Sequence, residues 1–328
     1  MTRRAVVVGE GPAAEALAAV LSGGTDPLVV VTVADLDAGG GFVTAPDLVV
    51  DAAPDSPLPA KAAALAALLG RLPDTVPIAV ATRHHTVDSL LPSVRHGSRV
   101  VGLRLMPGTA VAEVAMPAAF DDRVVDAVLD LLESAGITAL PCADGPGRII
   151  DRLVAAAALD ARWMAEGGFA TGATVTAATS EAGLSLTSIE PDELPGIAGA
   201  LHAGLGDAAR FSVATLPTGA APGIRAEGTP SVQPPVPLDV DAAAERLELV
   251  VIAEAYRMVG EAMGGAEEIE RAMTRGAGWA AGPFTLAGRR GLRAVVTGLA
   301  RVSRAPGVDP VIADRFAIPP LLWQMATV

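Results

Sequence analysis

The chain has 328 residues, of which 51% are hydrophobic and only 3% aromatic, and a formal charge of −13. That length accommodates two domains, with cores built from Ala, Val and Leu. The acidic balance, with no Lys/Arg-rich run, argues against nucleic acid or an anionic membrane as a partner.

Cys142 is the one cysteine, which rules out an intramolecular disulfide and a cysteine zinc site. Four histidines are too few and too scattered to suggest a metal centre. The apolar runs fall short of a membrane span, and the N-terminus lacks the long apolar core of a signal peptide. A soluble cytoplasmic protein is therefore expected.

Ala5–Gly9 is an all-apolar run of the kind found in parallel strands covered on both faces. Gly9, Gly11 and Ala14 follow, and the sequence continues as a helix to Ser22. Strands are expected at Leu28–Val33 and Asp47–Ala52. A helix over Ala60–Arg71 is entered through Pro57 and Pro59, and Ile78–Thr82 is a further strand. The stretch GLRLMPGTAVAEV, Gly102 to Val114, reads as strand, turn and strand, with its first strand beginning at Val100. Asp121–Ser134 is a helix with an aspartate cap, and Ile137–Cys142 a strand. Strands alternating with helices imply an α/β, Rossmann-like, doubly wound parallel sheet over residues 1–145.

After Pro146 the pattern becomes mainly helical, over residues 146–328. Ile149–Glu166 is one helical run. Asp239–Met263 is a longer one, with Arg246, Glu254, Arg257 and Glu261 close to one face and a wide apolar stripe elsewhere. Between them, residues 167–238 form a Gly-, Thr- and Pro-rich stretch without a firm assignment. It holds a helix near Asp192–Leu205 and a possible strand at Arg210–Leu216.

The glycine turn matches G-x-G-x-x-A after a strand and before a helix, the pattern that cradles a pyrophosphate on free backbone N–H groups. This makes Gly9, Glu10, Gly11, Pro12 and Ala13 candidate cofactor residues, with NAD or NADP as the cofactor. Glu10 repels a phosphate unless it swings to solvent. Asp35 is the nearest acid for the ribose hydroxyls, or else a solvated loop residue. Ala52, Ala53, Lys61 and Thr82 complete the candidate set. His84 and His85 follow the fourth strand, at the end where such sheets bind ligands. They are candidate acid/base groups, or two surface loop histidines.

Several segments resemble 3-hydroxyacyl-CoA dehydrogenases. DGPGRIIDRL, Asp144 to Leu153, is similar to that family's D-x-P-G-F-I-x-N-R-L. AMTRGAGWAAGPF, Ala272 to Phe284, resembles its A-M-x-x-G-x-G-x-x-x-G-P-F signature. DLVVDAAPD resembles its D-L-V-I-E-A-x-x-E strand. The resemblance covers residues 1–165 and 239–328. It implies a dinucleotide-binding domain followed by a helical domain that dimerises.

The resemblance also implies a site, and here the chain departs from it. Position by position, the family's catalytic glutamate falls on Glu113, its histidine on Arg104, its asparagine on Asp151 and its serine near Arg83. An arginine keeps its proton at any neutral pH, because its pKa exceeds about 12. It can hold an oxygen or a carboxylate by charge, or simply form a salt bridge with Glu113 across adjacent strands. The segment DLDAGGGFVTAP, joining Ala34 to Asp47, is too short for the family's helical hairpin, which helps hold coenzyme A.

Two functions are therefore expected to compete. One is a divergent NAD(P)-dependent oxidoreductase acting on a small hydroxy or keto acid or its thioester. The other is a catalytically silent binding or scaffold member of the fold.

Overall fold

The structure is a computed structural model that describes residues 5–22, 29–32, 46–92, 97–206, 208–212, 237–304 and 309–327. It divides into two compact units, Met1–Arg148 and Ile149–Val328.

The first unit is built on a seven-stranded sheet of order β2-β1-β3-β4-β5-β6-β7. The strands are β1 Ala5–Val8, β2 Val29–Val31, β3 Leu48–Asp51, β4 Ile78–Ala81, β5 Val100–Leu105, β6 Val111–Met116 and β7 Thr138–Ala143. β1 to β5 are mutually parallel, as the uniform apolar runs imply. β6 runs antiparallel to β5, and β7 runs parallel to β6. The parallel sheet expected from the sequence is thus found over β1 to β5, and the strand–turn–strand of Gly102–Val114 forms its one antiparallel pair among the described residues.

The reversal has a local cause. Thr109 N–H donates to Met106 O at 3.2 Å, and Met106 N–H donates to Val111 O at 2.9 Å. Gly108 takes φ +70°, which an L side chain resists. So tight a connection makes a hairpin, whereas a parallel crossover needs a dozen or more residues. Pro141 is tolerated in β7 because β7 is an edge strand.

Each sheet face has its own apolar layer. Val7, Val50, Ala79, Val101, Ala112 and Val114 meet Ala14 and Ala18 of helix Gly11–Ser22 and Val124 and Val128 of helix Asp122–Ser134. Asp121 caps the latter helix by accepting from Arg123 N–H at 3.0 Å. On the other face, Val6, Val8, Val49, Ile78 and Val80 meet Leu65, Leu68 and Leu69 of helix Leu58–Leu69. Val87 and Leu90, from the single turn Val87–Leu90, join that layer.

The second unit is helical. Its longest helices are Ile150–Glu166 and Val240–Gly260. Helix Leu194–Gly204 lies where sequence placed one. Gly172–Glu181 is a further helix, capped by Thr171 accepting from Thr174 N–H at 3.1 Å. The strand expected at Arg210–Leu216 is corrected at its start, where Ala209–Phe211 forms a 3-10 turn. The remainder of that expectation, like most of the segment joining Ala34 to Asp47, lies outside the described residues.

Charged residues stitch this unit from within. Arg152 donates to Glu254 Oε1 and Glu261 Oε2 at 2.7 and 2.6 Å. Arg210 and Arg257 each donate to Glu254 Oε2 at 2.9 Å. Arg257 also donates to the carbonyls of Asp314 and Ala317, at 3.0 and 2.6 Å. Arg246 holds Asp160 in a two-point bond at 2.8 and 3.0 Å. Its guanidinium lies 4.6 Å from the Trp163 ring and 4.5 Å from the Phe316 ring. The polar face read on Val240–Gly260 is therefore an internal ion network.

The GPF segment owes its glycine to a cap. Glu270 accepts from Phe284 N–H at 3.0 Å, and a Cβ on Gly282 would stand 2.4 Å from the Glu270 carboxylate. The preceding residues, Ala272–Gly276, form a π turn. No described helix is long and apolar enough to cross a membrane.

Candidate active site

The glycine turn stands at the C-terminal end of β1, between β2 and β3. Gly9 N–H donates to Val31 O at 3.1 Å, and Ala52 N–H donates to Val8 O at 2.8 Å. A Cβ on Gly9 would lie 3.0 Å from the Cβ atoms of both Ala14 and Ala52. Gly9 thus permits the close packing of strand, helix and neighbouring strand. Gly11 takes φ +76°, and nothing lies within 4 Å of the place its Cβ would occupy. Helix Gly11–Ser22 begins there, with Pro12 and Ala13 in its first turn. Glu10 is exposed, so its carboxylate can face solvent and leave the turn to an anion. Backbone of this shape fits a dinucleotide phosphate. Asp35, the acid proposed for the ribose, lies outside the described residues.

Behind this turn, Lys61 is fully buried. Its Nζ lies 3.1 Å from Asp51 Oδ2 and donates to Ala53 O at 2.6 Å. Asp51 Oδ1 in turn accepts from Ala53 N–H at 3.0 Å. The ammonium therefore braces the Ala52–Ala53 loop from inside and is not presented to solvent.

The loop after β4 gathers four candidates around one carboxylate that sequence reading passed over. Asp55 accepts from Thr82 Oγ1 at 2.9 Å and from the backbone N–H groups of Arg83 and His84 at 2.8 Å each. Burial pushes the Asp55 carboxyl up, but the His84 and Arg83 N–H groups, the Thr82 hydroxyl and nearby His85 outweigh it. The carboxyl ends below its usual value, and so stays ionised. His85 Nε2 lies 2.8 Å from Ser56 O and 3.8 Å from Asp55 Oδ1. A carbonyl only accepts, so Nε2 carries the hydrogen, and Nδ1 of the neutral ring is the basic nitrogen. His84 is exposed, and its ring makes no bond among the described residues.

Arg104 and Glu113 face each other across the hairpin, in register on β5 and β6. Arg104 Nη1 donates to Glu113 Oε2 at 3.4 Å; both residues are buried, Glu113 wholly. This is the cross-strand ion pair weighed from the sequence. Arginine does not exchange protons near neutrality, so this side chain can only bind and orient. Cys142 is buried on the neighbouring strand. Burial and the Glu113 charge push its thiol well above its ordinary range, so it is no nucleophile.

Asp151 is buried in the first turn of helix Ile150–Glu166 and belongs to the second unit. Within the first unit, then, two groups are assembled: Arg104 with Glu113, and Thr82, Arg83, His84 and His85 around Asp55. Asp55 was legible only as the third acid of DLVVDAAPD. Among the described residues no group of three His, Cys, Asp or Glu could hold a metal ion.

Residues 243–327 match the family model for the 3-hydroxyacyl-CoA dehydrogenase C-terminal domain. The chain is similar to the crystal structure of 3-hydroxybutyryl-CoA dehydrogenase from Escherichia coli, with a TM-score of 0.78 at 16% identity over 99% of this chain and 98% of that one. The dehydrogenase part of a multifunctional enzyme from C. elegans gives a TM-score of 0.54 at 10% identity, over 99% and 89%. No curated protein matches. The chain thus has the fold of the 3-hydroxyacyl-CoA dehydrogenase structures it is similar to, and its residues 243–327 match the family's C-terminal domain.

Proposed function

We propose that the chain is an NAD(P)-dependent oxidoreductase that interconverts a hydroxyl and a keto group on a small acid or its thioester. One observation carries the reading: the open, positive-φ Gly11 at the end of a central parallel strand, immediately before a helix. Gly9, Glu10, Gly11, Pro12 and Ala13 would hold the nucleotide phosphates through backbone N–H groups, with Ala52, Ala53 and Thr82 at the ends of the neighbouring strands. The bound nicotinamide would supply hydride chemistry. The chain's own part is to handle the proton of the substrate hydroxyl. Arg104 cannot do this, so the task falls to His85. Its ring is oriented through Nε2 by Ser56 O and lies near the ionised Asp55, which stabilises the imidazolium.

A second reading is a silent, dimeric binding protein. The Arg104–Glu113 pair favours it, because it occupies the positions of the family's acid/base groups. A homodimer through the helical unit would also cover Trp323 and Met325, which are 53% and 51% exposed. Titration of NADH and NADPH by calorimetry separates the two readings. Micromolar binding of either nucleotide is expected; no binding of either at millimolar concentration removes the oxidoreductase reading.

A further inference from the structure

Arg148 closes the first unit, and its surroundings do not satisfy it. The residue is 3% exposed, yet neither Nη1 nor Nη2 has a hydrogen-bond partner among the described residues. A buried guanidinium whose donors make no hydrogen bond is costly. Its backbone carries a second cost: φ is +48°, the left-handed region that non-glycine residues avoid. A third feature makes room for it. A Cβ on Gly102 would stand 2.7 Å from Arg148 Nη2, so only glycine at that point of β5 lets the guanidinium lie against the sheet.

The position is defined by strand register. Gly102 pairs with Ala115, and Arg104 with Glu113. Alternate residues of a strand share a face. The guanidinium therefore lies on the same sheet face as the Arg104–Glu113 pair, one alternate position along. The nearby anions do not hydrogen-bond it among the described residues. Glu113 is paired with Arg104. Asp144 Oδ2 accepts from Asp88 N–H at 2.8 Å; the Arg148 charge acts on Asp144, but no hydrogen bond joins the two among the described residues. A buried fork of two free donors is the shape that binds a carboxylate through both oxygens.

We propose that Arg148 is the anchor for a substrate carboxylate, so that the chain takes a free hydroxy or keto acid and not a thioester; this rests on the oxidoreductase reading. A carboxylate neutralises the guanidinium and satisfies both nitrogens. A thioester brings only an uncharged carbonyl oxygen and leaves the charge standing.

The test measures acetoacetate binding to the wild-type chain, R148M and R148K by calorimetry, together with the melting temperature of each. The wild type binds acetoacetate, and R148M weakens that binding roughly 10- to 100-fold, the usual scale for a charged hydrogen bond. R148K keeps the charge without the fork and falls between the two. Without ligand, R148M melts a few degrees higher than wild type, because buried donors without hydrogen bonds have gone. A purely structural arginine would shift the melting point the other way. Equal acetoacetate affinity in wild type and R148M overturns the proposal, as does no carboxylate binding by the wild type. NADH titration of the same proteins is read separately. Wild type and R148M binding NADH alike while differing in acetoacetate supports the anchor. Failure of both to bind NADH sinks the dehydrogenase reading alone, and the carboxylate data still decide Arg148.

Discussion

Replacing Glu254 by alanine is expected to destabilise the second unit by about 3–5 kcal/mol, the range for breaking a buried ion pair by removing one partner. Glu254 is 1% exposed, and Arg152, Arg210 and Arg257 all donate to it. Alanine would leave Arg210 and Arg257 with far weaker compensation inside the protein, and Arg152 with Glu261 alone. The carboxylate also makes stability depend on pH. Burial raises its pKa, but the three guanidiniums, Arg152 foremost, hold it down to about 2 from the ordinary 4.5 of a glutamate. A depressed folded-state pKa means that the stabilisation is complete above about pH 4.5 and is lost as the pH falls toward 2. Its full size is about 3 kcal/mol. Denaturant titration of wild type and E254A at pH 7 and pH 3 reads both effects. The difference between the proteins should be large at pH 7 and smaller at pH 3. A loss under 1 kcal/mol at pH 7 would show that the network contributes nothing net.

The second large effect concerns activity. His85→Ala should lower turnover by about 10²- to 10⁴-fold on any substrate that reacts, the usual contribution of a general acid or base. NADH affinity should hardly change, since the ring bonds to Ser56 O and lies beside Asp55. His84→Ala is the internal control: the ring is exposed and unbonded among the described residues, so only a small change is expected. Asp55→Asn should fall between them. It keeps an acceptor for the Arg83 and His84 N–H groups but removes the charge that stabilises the imidazolium. Rate against pH then separates the variants. The wild-type profile carries an ionisation that H85A lacks. If H84A loses as much as H85A, the assignment to His85 is wrong.

Much of the first unit could be read from local pattern. Its strands are short runs of Val, Ile, Leu and Ala, covered on both faces and bounded by Gly, Pro and Asp. The hairpin is written in Met106–Ala110, where Pro107 and Gly108 leave no room for a crossover. The strand direction beyond it follows from that turn, and the repeating strand–helix rhythm gives the parallel strands before it. The helix Gly172–Glu181 was hidden by Gly, Thr and Ala, which carry little helical periodicity, and its Thr171 cap emerges only with the backbone in place.

The site was legible in parts, for a different reason. Arg104 and Glu113 lie nine residues apart on a hairpin, so their pairing follows from sequence spacing. Asp55 meets the β4 loop across 27 to 29 residues of chain, a distance no local pattern spans. Arg148 is visible as an arginine after Pro-Gly, but the lack of hydrogen bonds to its Nη1 and Nη2 among the described residues is a property of the packed state.

Lys61 is the sole lysine of the chain and is sealed beneath the Ala52–Ala53 loop, paired with Asp51. The folded protein therefore offers no side-chain amine to acylating reagents or aldehyde cross-linkers. Any adduct on Lys61 records a moment when the Ala52–Ala53 loop and helix Leu58–Leu69 have come apart. The rate of that modification becomes a clock for local opening of the first unit, and a nucleotide that tightens the loop should slow it.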